Sequence, residues 1–251
     1  MKKNEGFGNG RGKFAIMRVL VILMAVAGCF CGCGEKKEKT ADISVVVRID
    51  LGVSTASGVI YERTEDALII VTAGHVLEEM VSQKMASAED SSARVAVAEL
   101  FSGETSVGEL PVKVSDVFLS QTSETAFLAI PSKEIPPEIW ENCQAAPRNQ
   151  ELFDGLREGE TMFLSGYSAD GELLEITGEL LYSWIYARDF EQYMMLVDGE
   201  SFPGMSGGGV FDTDGNLAGI LCGVNEAGES AAVPLSIIVA EYMQAYPGTV
   251  S

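Results

Sequence analysis

Ser206 stands in Gly204-Met205-Ser206-Gly207-Gly208, a pentapeptide that sets a hydroxyl among glycines. Glycine lets the backbone turn sharply enough for that hydroxyl to project. It also lets amide N–H groups approach a substrate oxygen with no Cβ in the way. A serine hydroxyl is a weak nucleophile until a neighbouring base takes its proton. The chain offers one imidazole, His75, in Val71-Thr72-Ala73-Gly74-His75-Val76, directly after a strongly apolar run. Ser206 and His75 are therefore the candidate nucleophile and base of an acyl transfer, a chemistry that requires no metal or cofactor. The alternative for His75 is an ordinary core or surface histidine. Metal chemistry has little to draw on, because no cysteine pair has C-x-x-C spacing and there is no second histidine. Cys143 and Cys222, far apart in the chain, read either as a disulfide of an oxidising compartment or as two buried thiols.

The elements that must hold this pair are short β-rich runs separated by turn signals. The first series is 43–50, 57–63, 67–73, 94–101, 112–118 and 125–130. The second is 161–166, 179–187, 193–198, 208–213 and 217–224, with Asp214-Gly215 as a hairpin signal between the last two. Helical pattern is confined to the stretch after His75, to the acidic segment 134–145 and to the tail 235–246. A Pro-containing segment around 130–148 separates the two series. The layout predicts an all-β protein of two successive barrels, a bridging segment and a C-terminal helix.

The first forty residues read as an address. Residues 1–18 are basic, 19–28 are the apolar run VLVILMAVAG, and the run ends in Val26-Ala27-Gly28-Cys29. That ending resembles the lipobox of bacterial lipoproteins, with Cys29 as the residue to be lipidated. An uncleaved anchor is the competing reading, but the run falls short of the ~20 residues that a spanning helix needs. The expected divisions are a signal peptide over 1–28, a lipidated tether over 29–41 and a folded domain over 42–251. The protein is then expected outside the cytoplasm, held to a bacterial cell membrane by its lipid. The net charge of −20 is carried by 37 acidic against 17 basic residues, and five of the basic ones precede Cys29. So acidic a body repels nucleic acid and anionic lipid.

Chain order sorts the catalytic alternatives. The G-x-S-x-G pattern also fits the nucleophile elbow of α/β-hydrolases, but those need a histidine after the serine and none follows Ser206. Asp50 would formally allow the subtilisin order, against which the strand-rich body argues. The stretches Ser57-Gly58-Val59-Ile60, Thr72-Ala73-Gly74-His75 and Asp198 with Pro203-Gly204-Met205-Ser206-Gly207-Gly208 together resemble the trypsin-like (chymotrypsin-fold) serine peptidases. The resemblance spans about 45–239. It implies two six-stranded antiparallel β-barrels, the first over about 42–131 and the second over about 158–232, with a short C-terminal helix over about 234–246. It also implies an endopeptidase acting on polypeptide substrates. The chain ends soon after the second barrel, so no appended PDZ domain is expected.

The same resemblance assigns roles. His75 is the general base, Ser206 the nucleophile, and the N–H groups of Gly204 and Ser206 form the oxyanion hole. The family's aspartate falls at Glu124, which opens Glu124-Thr125-Ala126-Phe127-Leu128. Glutamate keeps the charge but adds a methylene, and a misplacement of ~1 Å can cost ~100-fold in rate. A triad of His75, Glu124 and Ser206 is the leading expectation. A weak or inactive protease-like binding or scaffold lipoprotein is the alternative. Glu200 falls where the family often places the floor of its specificity pocket, where a carboxylate would favour Lys or Arg in the substrate; otherwise it is an exposed loop acid. Cys222 is expected on the strand beside that pocket.

Overall fold

Short runs of β-branched residues between Gly, Asp and Ser pair as antiparallel hairpins. A computed structural model describes residues 43–86, 91–103 and 105–247. The expected signal peptide, the tether and Cys29 lie outside the described residues. The first half supplies β1 (Val46–Asp50), β2 (Thr55–Arg63) and β3 (Ala67–Thr72), then helix α1 (Gly74–Ala86). It continues with β4 (Arg94–Ser102), β5 (Thr105–Lys113), β6 (Val117–Leu119) and β7 (Ala126–Pro131). Two short helices, α2 (Pro137–Trp140) and α3 (Gln150–Gly155), bridge to the second half. There follow β8 (Thr161–Tyr167), β9 (Leu173–Ala187), β10 (Gln192–Asp198), β11 (Gly209–Phe211), β12 (Leu217–Val224), β13 (Ser230–Pro234) and helix α4 (Leu235–Ala245).

The nearly all-β, two-sheet, chymotrypsin-like architecture expected from the sequence is present. The second sheet closes into a ring of six in the order β10-β13-β12-β11-β8-β9. The first runs β5-β4-β1-β2-β3-β7-β6 and stays open, with seven strands instead of a closed six. The reason is at its edge: β6 has three residues and pairs with β7, so the ladder stops there and does not return to β5.

Alternation along the second-half strands decides how the two sheets meet. On β8, Met162 and Leu164 join the core inside the ring, while Phe163 and Tyr167 join the core shared with the first sheet. On β12, Ala218 and Leu221 point one way and Ile220 and Cys222 the other. These strands are buried on both faces. β9 differs, because its outer face meets solvent at Tyr182, Trp184 and Tyr186.

Three local differences have identifiable causes. The acidic segment 134–145 is α-helical only over α2, which Pro136 and Pro137 start: proline suits the first turn and bars α-helix ahead of it. β9 begins at Leu173, ahead of the expected 179, and runs straight through Thr177-Gly178; a Cβ at Gly178 would lie 2.6 Å from Val197 Cγ1. β13, Ser-Ala-Ala-Val-Pro, has weak strand propensity yet closes the ring between β10 and β12, and all five of its residues are buried.

Candidate active site

β3 ends at Thr72 and α1 begins two residues later, so His75 sits in the first turn of the helix. Thr72 pairs with Ala126, which brings the residues just before β7 alongside that turn. Gly74 permits the approach: a Cβ there would sit 3.3 Å from the Thr125 nitrogen and 3.4 Å from the Glu124 carbonyl carbon. The Glu124 carboxylate consequently lies against the helix start. Its Oε2 is 3.0 Å from His75 Nδ1 and also accepts the backbone N–H of His75 at 3.2 Å. The imidazole hydrogen bond is the chief reason that the Glu124 carboxyl is held below the usual carboxylate range; the backbone N–H adds to it and partial burial opposes it. A helix start also favours negative charge. With Nδ1–H committed to the carboxylate, Nε2 is the imidazole nitrogen left with a lone pair.

The loop before β11 carries Ser206, and its peptides are tied down one by one. The Pro203 carbonyl accepts Ala169 N–H at 2.7 Å and the Met205 carbonyl accepts Gly208 N–H at 2.8 Å. Because a trans peptide points its N–H opposite its C=O, these bonds fix where the Gly204 and Ser206 N–H groups aim. Gly204 and Gly207 have φ of +98° and +86°, the left-handed region that suits glycine. A Cβ on Gly207 would fall 2.0 Å from the Ser57 carbonyl oxygen and 2.1 Å from Thr72 Oγ1.

That contact exposes a clamp across the two sheets. Ser57, fully buried on β2, donates its hydroxyl to the Gly204 carbonyl at 2.8 Å and accepts Tyr167 N–H at 2.7 Å. Its own N–H donates to the Ser206 carbonyl at 2.9 Å, and its carbonyl accepts the Thr72 hydroxyl at 2.7 Å. The strand next to the histidine thus holds the serine loop in register.

The site residues are brought together unequally. His75 and Glu124 are in direct contact. The Ser206 hydroxyl donates to the Cys222 carbonyl at 3.2 Å, and no hydrogen bond joins it to His75 among the described residues. Cys222 lies behind the pair, with its Sγ 3.9 Å from the Glu124 carbonyl. It is buried and unbonded to Cys143, which is also a free buried thiol. Burial, reinforced by the Glu124 charge, pushes the Cys222 thiol far up, so it remains protonated and inert. Glu200 is exposed in the segment between β10 and the serine loop, and Asp198 is exposed at the end of β10. Sequence reasoning did not assign Gln192, whose side-chain oxygen accepts Glu124 N–H at 3.1 Å. A cavity of about 550 Å3 opens beside the pair, lined by His75, Glu78, Ser123, Glu124, Phe190 and Gln192 among others.

A family model described as a trypsin-like peptidase domain matches residues 56–220. The chain belongs to that family. The match takes in the whole His75–Glu124–Ser206 constellation. Among solved structures, this trypsin-like peptidase is similar to the Rv3671c protease of M. tuberculosis H37Rv in an inactive form. That similarity has 15% identity and a TM-score of 0.55, over 81% of this chain and 89% of the other. It is also similar to the HtrA-type protease AlgW with tripeptide, at 20% identity and a TM-score of 0.58, over 82% of this chain. The chain spans 60% of that AlgW chain. At these identities the structural likeness speaks for the fold alone. A search of curated protein sequences found no match.

Proposed function

We propose that this trypsin-like peptidase is a serine endopeptidase that cuts polypeptides through an acyl-enzyme with a His75–Glu124–Ser206 triad. The observation that carries the reading is the 3.0 Å contact between His75 Nδ1 and Glu124 Oε2, which leaves Nε2 free to act as base. Ser206 Oγ turns about its Cα–Cβ bond from the Cys222 carbonyl towards Nε2, a change between staggered wells. His75 takes its proton as Oγ attacks the scissile carbonyl, and the N–H groups of Gly204 and Ser206 receive the oxyanion. Imidazolium, stabilised by Glu124, returns the proton to the leaving amine. Water then repeats the cycle on the ester, releasing the acid and restoring the serine. We assign the enzyme to the extracytoplasmic face of a bacterial membrane, tethered through lipid on Cys29.

Fluorophosphonate probes test the chemistry directly, because they phosphonylate an activated serine whatever the peptide specificity. Labelling is expected in the parent and absent in Ser206→Ala. One observation favours a second reading, a protease-like binding lipoprotein: the Ser206 hydroxyl is engaged with Cys222 and not with His75. Folded parent protein that resists the probe would refute the enzyme reading and leave that one standing. Replacing Cys29 by serine is expected to release the protein from the membrane fraction, and its retention there would refute the lipid tether.

A further inference from the structure

The outer face of β9 departs from what a solvent-facing strand normally shows. Tyr182, Trp184 and Tyr186 follow at every second position and all point outwards, 44%, 48% and 53% exposed. Tyr193 on β10 lies opposite Tyr186 in register and is 47% exposed. Trp184 and Tyr193 stack with centroids 5.1 Å apart and planes 18° from parallel, and Tyr186 meets Tyr193 edge-on at 5.5 Å. A contiguous exposed aromatic patch of this kind marks an interaction surface.

The patch is one wall of a groove of about 480 Å3, whose other walls bring Glu191, Ile237 and Glu241. No lysine or arginine lines it among the described residues. Glu191 follows a one-turn helix at φ 52°, the one non-glycine residue with positive φ among the described residues. Glu241 accepts the Thr122 hydroxyl at 2.6 Å, which fixes its carboxylate at the groove edge. Flat π faces beside the exposed Glu191 carboxylate, with the largely buried Glu241 carboxylate held behind it, are complementary to guanidinium and ammonium groups. They are poorly suited to an anionic lipid surface. A two-fold contact with a second copy would set the same carboxylates against each other. The charge pattern therefore selects one occupant.

We infer that this aromatic and acidic groove is an exosite that docks an Arg- or Lys-bearing polypeptide segment next to the catalytic cavity. The groove and the cavity share Thr122, Ser123, Glu191 and Gln192 as walls, so the two adjoin. Gln192 also holds the Glu124 backbone N–H. A chain seated on Trp184 and Tyr193 is thereby led along the same wall to His75. The presentation of substrate rests on the endopeptidase reading, whereas the docking itself does not.

The test measures docking without turnover, on the full chain carrying Ser206→Ala in detergent. A fluorescein-labelled hexapeptide alternating glycine and arginine is titrated by anisotropy at ~0.15 M salt, where distant charges are largely screened. Saturable binding is expected, and no binding of the peptide with glutamate in place of arginine. Trp184→Ala with Tyr193→Ala, which alters no charge, is expected to weaken binding about fivefold or more. Glu191→Gln should weaken it severalfold, while Glu138→Gln, on exposed α2 and outside the groove, should leave it unchanged. Because all of these side chains are exposed to solvent, a melting curve like the parent's accompanies each variant. Binding that ignores the aromatic variants, or falls equally with Glu138→Gln, overturns the proposal in favour of diffuse attraction to an acidic body. Self-association in sedimentation velocity that Trp184→Ala abolishes would assign the face to a second copy. Binding to phosphatidylglycerol vesicles that Trp184→Ala abolishes would assign it to the membrane. Loss of fluorophosphonate labelling in the parent leaves the docking result standing and refutes only the enzyme reading.

Discussion

Removing the Ser57 hydroxyl should disable the serine loop although no substrate atom touches it. Ser57→Ala deletes two hydrogen bonds, one to the Gly204 carbonyl and one from Tyr167 N–H, at a fully buried residue. A buried polar group left without a partner costs ~1–3 kcal/mol, and two are orphaned, which bounds the loss of stability at about 2–6 kcal/mol. The remaining ties, Ser57 N–H to Ser206 and Thr72 to the Ser57 carbonyl, are made by the backbone of residue 57 and survive. The loop therefore stays attached while its Gly204–Met205 peptide loses one of its two anchors, the other being Met205 N–H to Phe202 at 3.0 Å. The Gly204 N–H, one plane away, keeps the Pro203 carbonyl tie to Ala169 N–H that aims it, but loses the support of the adjoining plane. Complete loss of one oxyanion donor costs ~100–1,000-fold, and a loosened donor should cost about 10- to 100-fold. The assay is the pseudo-first-order rate of fluorophosphonate labelling beside a thermal melt. Val59→Ala, a core truncation on the same strand that leaves the clamp intact, provides the comparison. If Ser57→Ala melts lower but labels at the Val59→Ala rate, the clamp only holds the fold and the positioning argument is wrong.

Other expectations follow from the same geometry. Gly207→Ala should leave little folded, labelled protein, because the added carbon meets the Ser57 carbonyl and the Thr72 hydroxyl near 2 Å; a normal melt with normal labelling would contradict the structure. Glu124 titrates below its ordinary range in the folded state. Its contribution is therefore fully present above the ordinary carboxylate range and disappears as pH falls through the lowered folded value. Glu124→Gln should flatten the acid limb of stability by about 0.5–1 kcal/mol for a partly exposed pair, read from denaturant midpoints across pH 3–6; an unchanged slope would refute the ion pair. Cys222 and Cys143, buried and held protonated, should react with a thiol reagent only after unfolding; fast reaction of native protein would show that the wall behind Glu124 opens.

The parts of the site legible in the sequence are those carried by local motifs. Ser206 among its glycines, the lone His75 after an apolar strand, and their order along the chain nominated the pair without coordinates. Ser57 stood in view within Ser57-Gly58-Val59-Ile60, but its partner Gly204 is 147 residues away, and no local pattern reports such a contact. Gln192 was hidden for the same reason. β13 escaped because two alanines and a proline say little about strands until β10 and β12 need a partner between them. The unclosed first sheet was illegible because closure depends on the length of β6 and not on composition.

At Glu124 a local sequence departure and a long-range contact meet. An aspartate there would approach the imidazole from a shorter stem, and the family pattern made the extra methylene look like a liability. In this fold the added reach has a use. Glycine at position 74 lets the chain before β7 pass within van der Waals contact of the start of α1, so the carboxylate comes in over the helix end. One oxygen then meets both the His75 ring and the His75 backbone N–H, an otherwise unpaired donor of the first turn. Two donors on one residue fix the glutamate more firmly than the imidazole alone could, and the same bonds keep it ionised. Glu124→Asp should therefore not restore an ideal triad. It should withdraw the carboxylate by about one bond length and slow labelling on the order of 100-fold. An aspartate variant as fast as the parent would show that the main-chain contact contributes nothing to orienting His75.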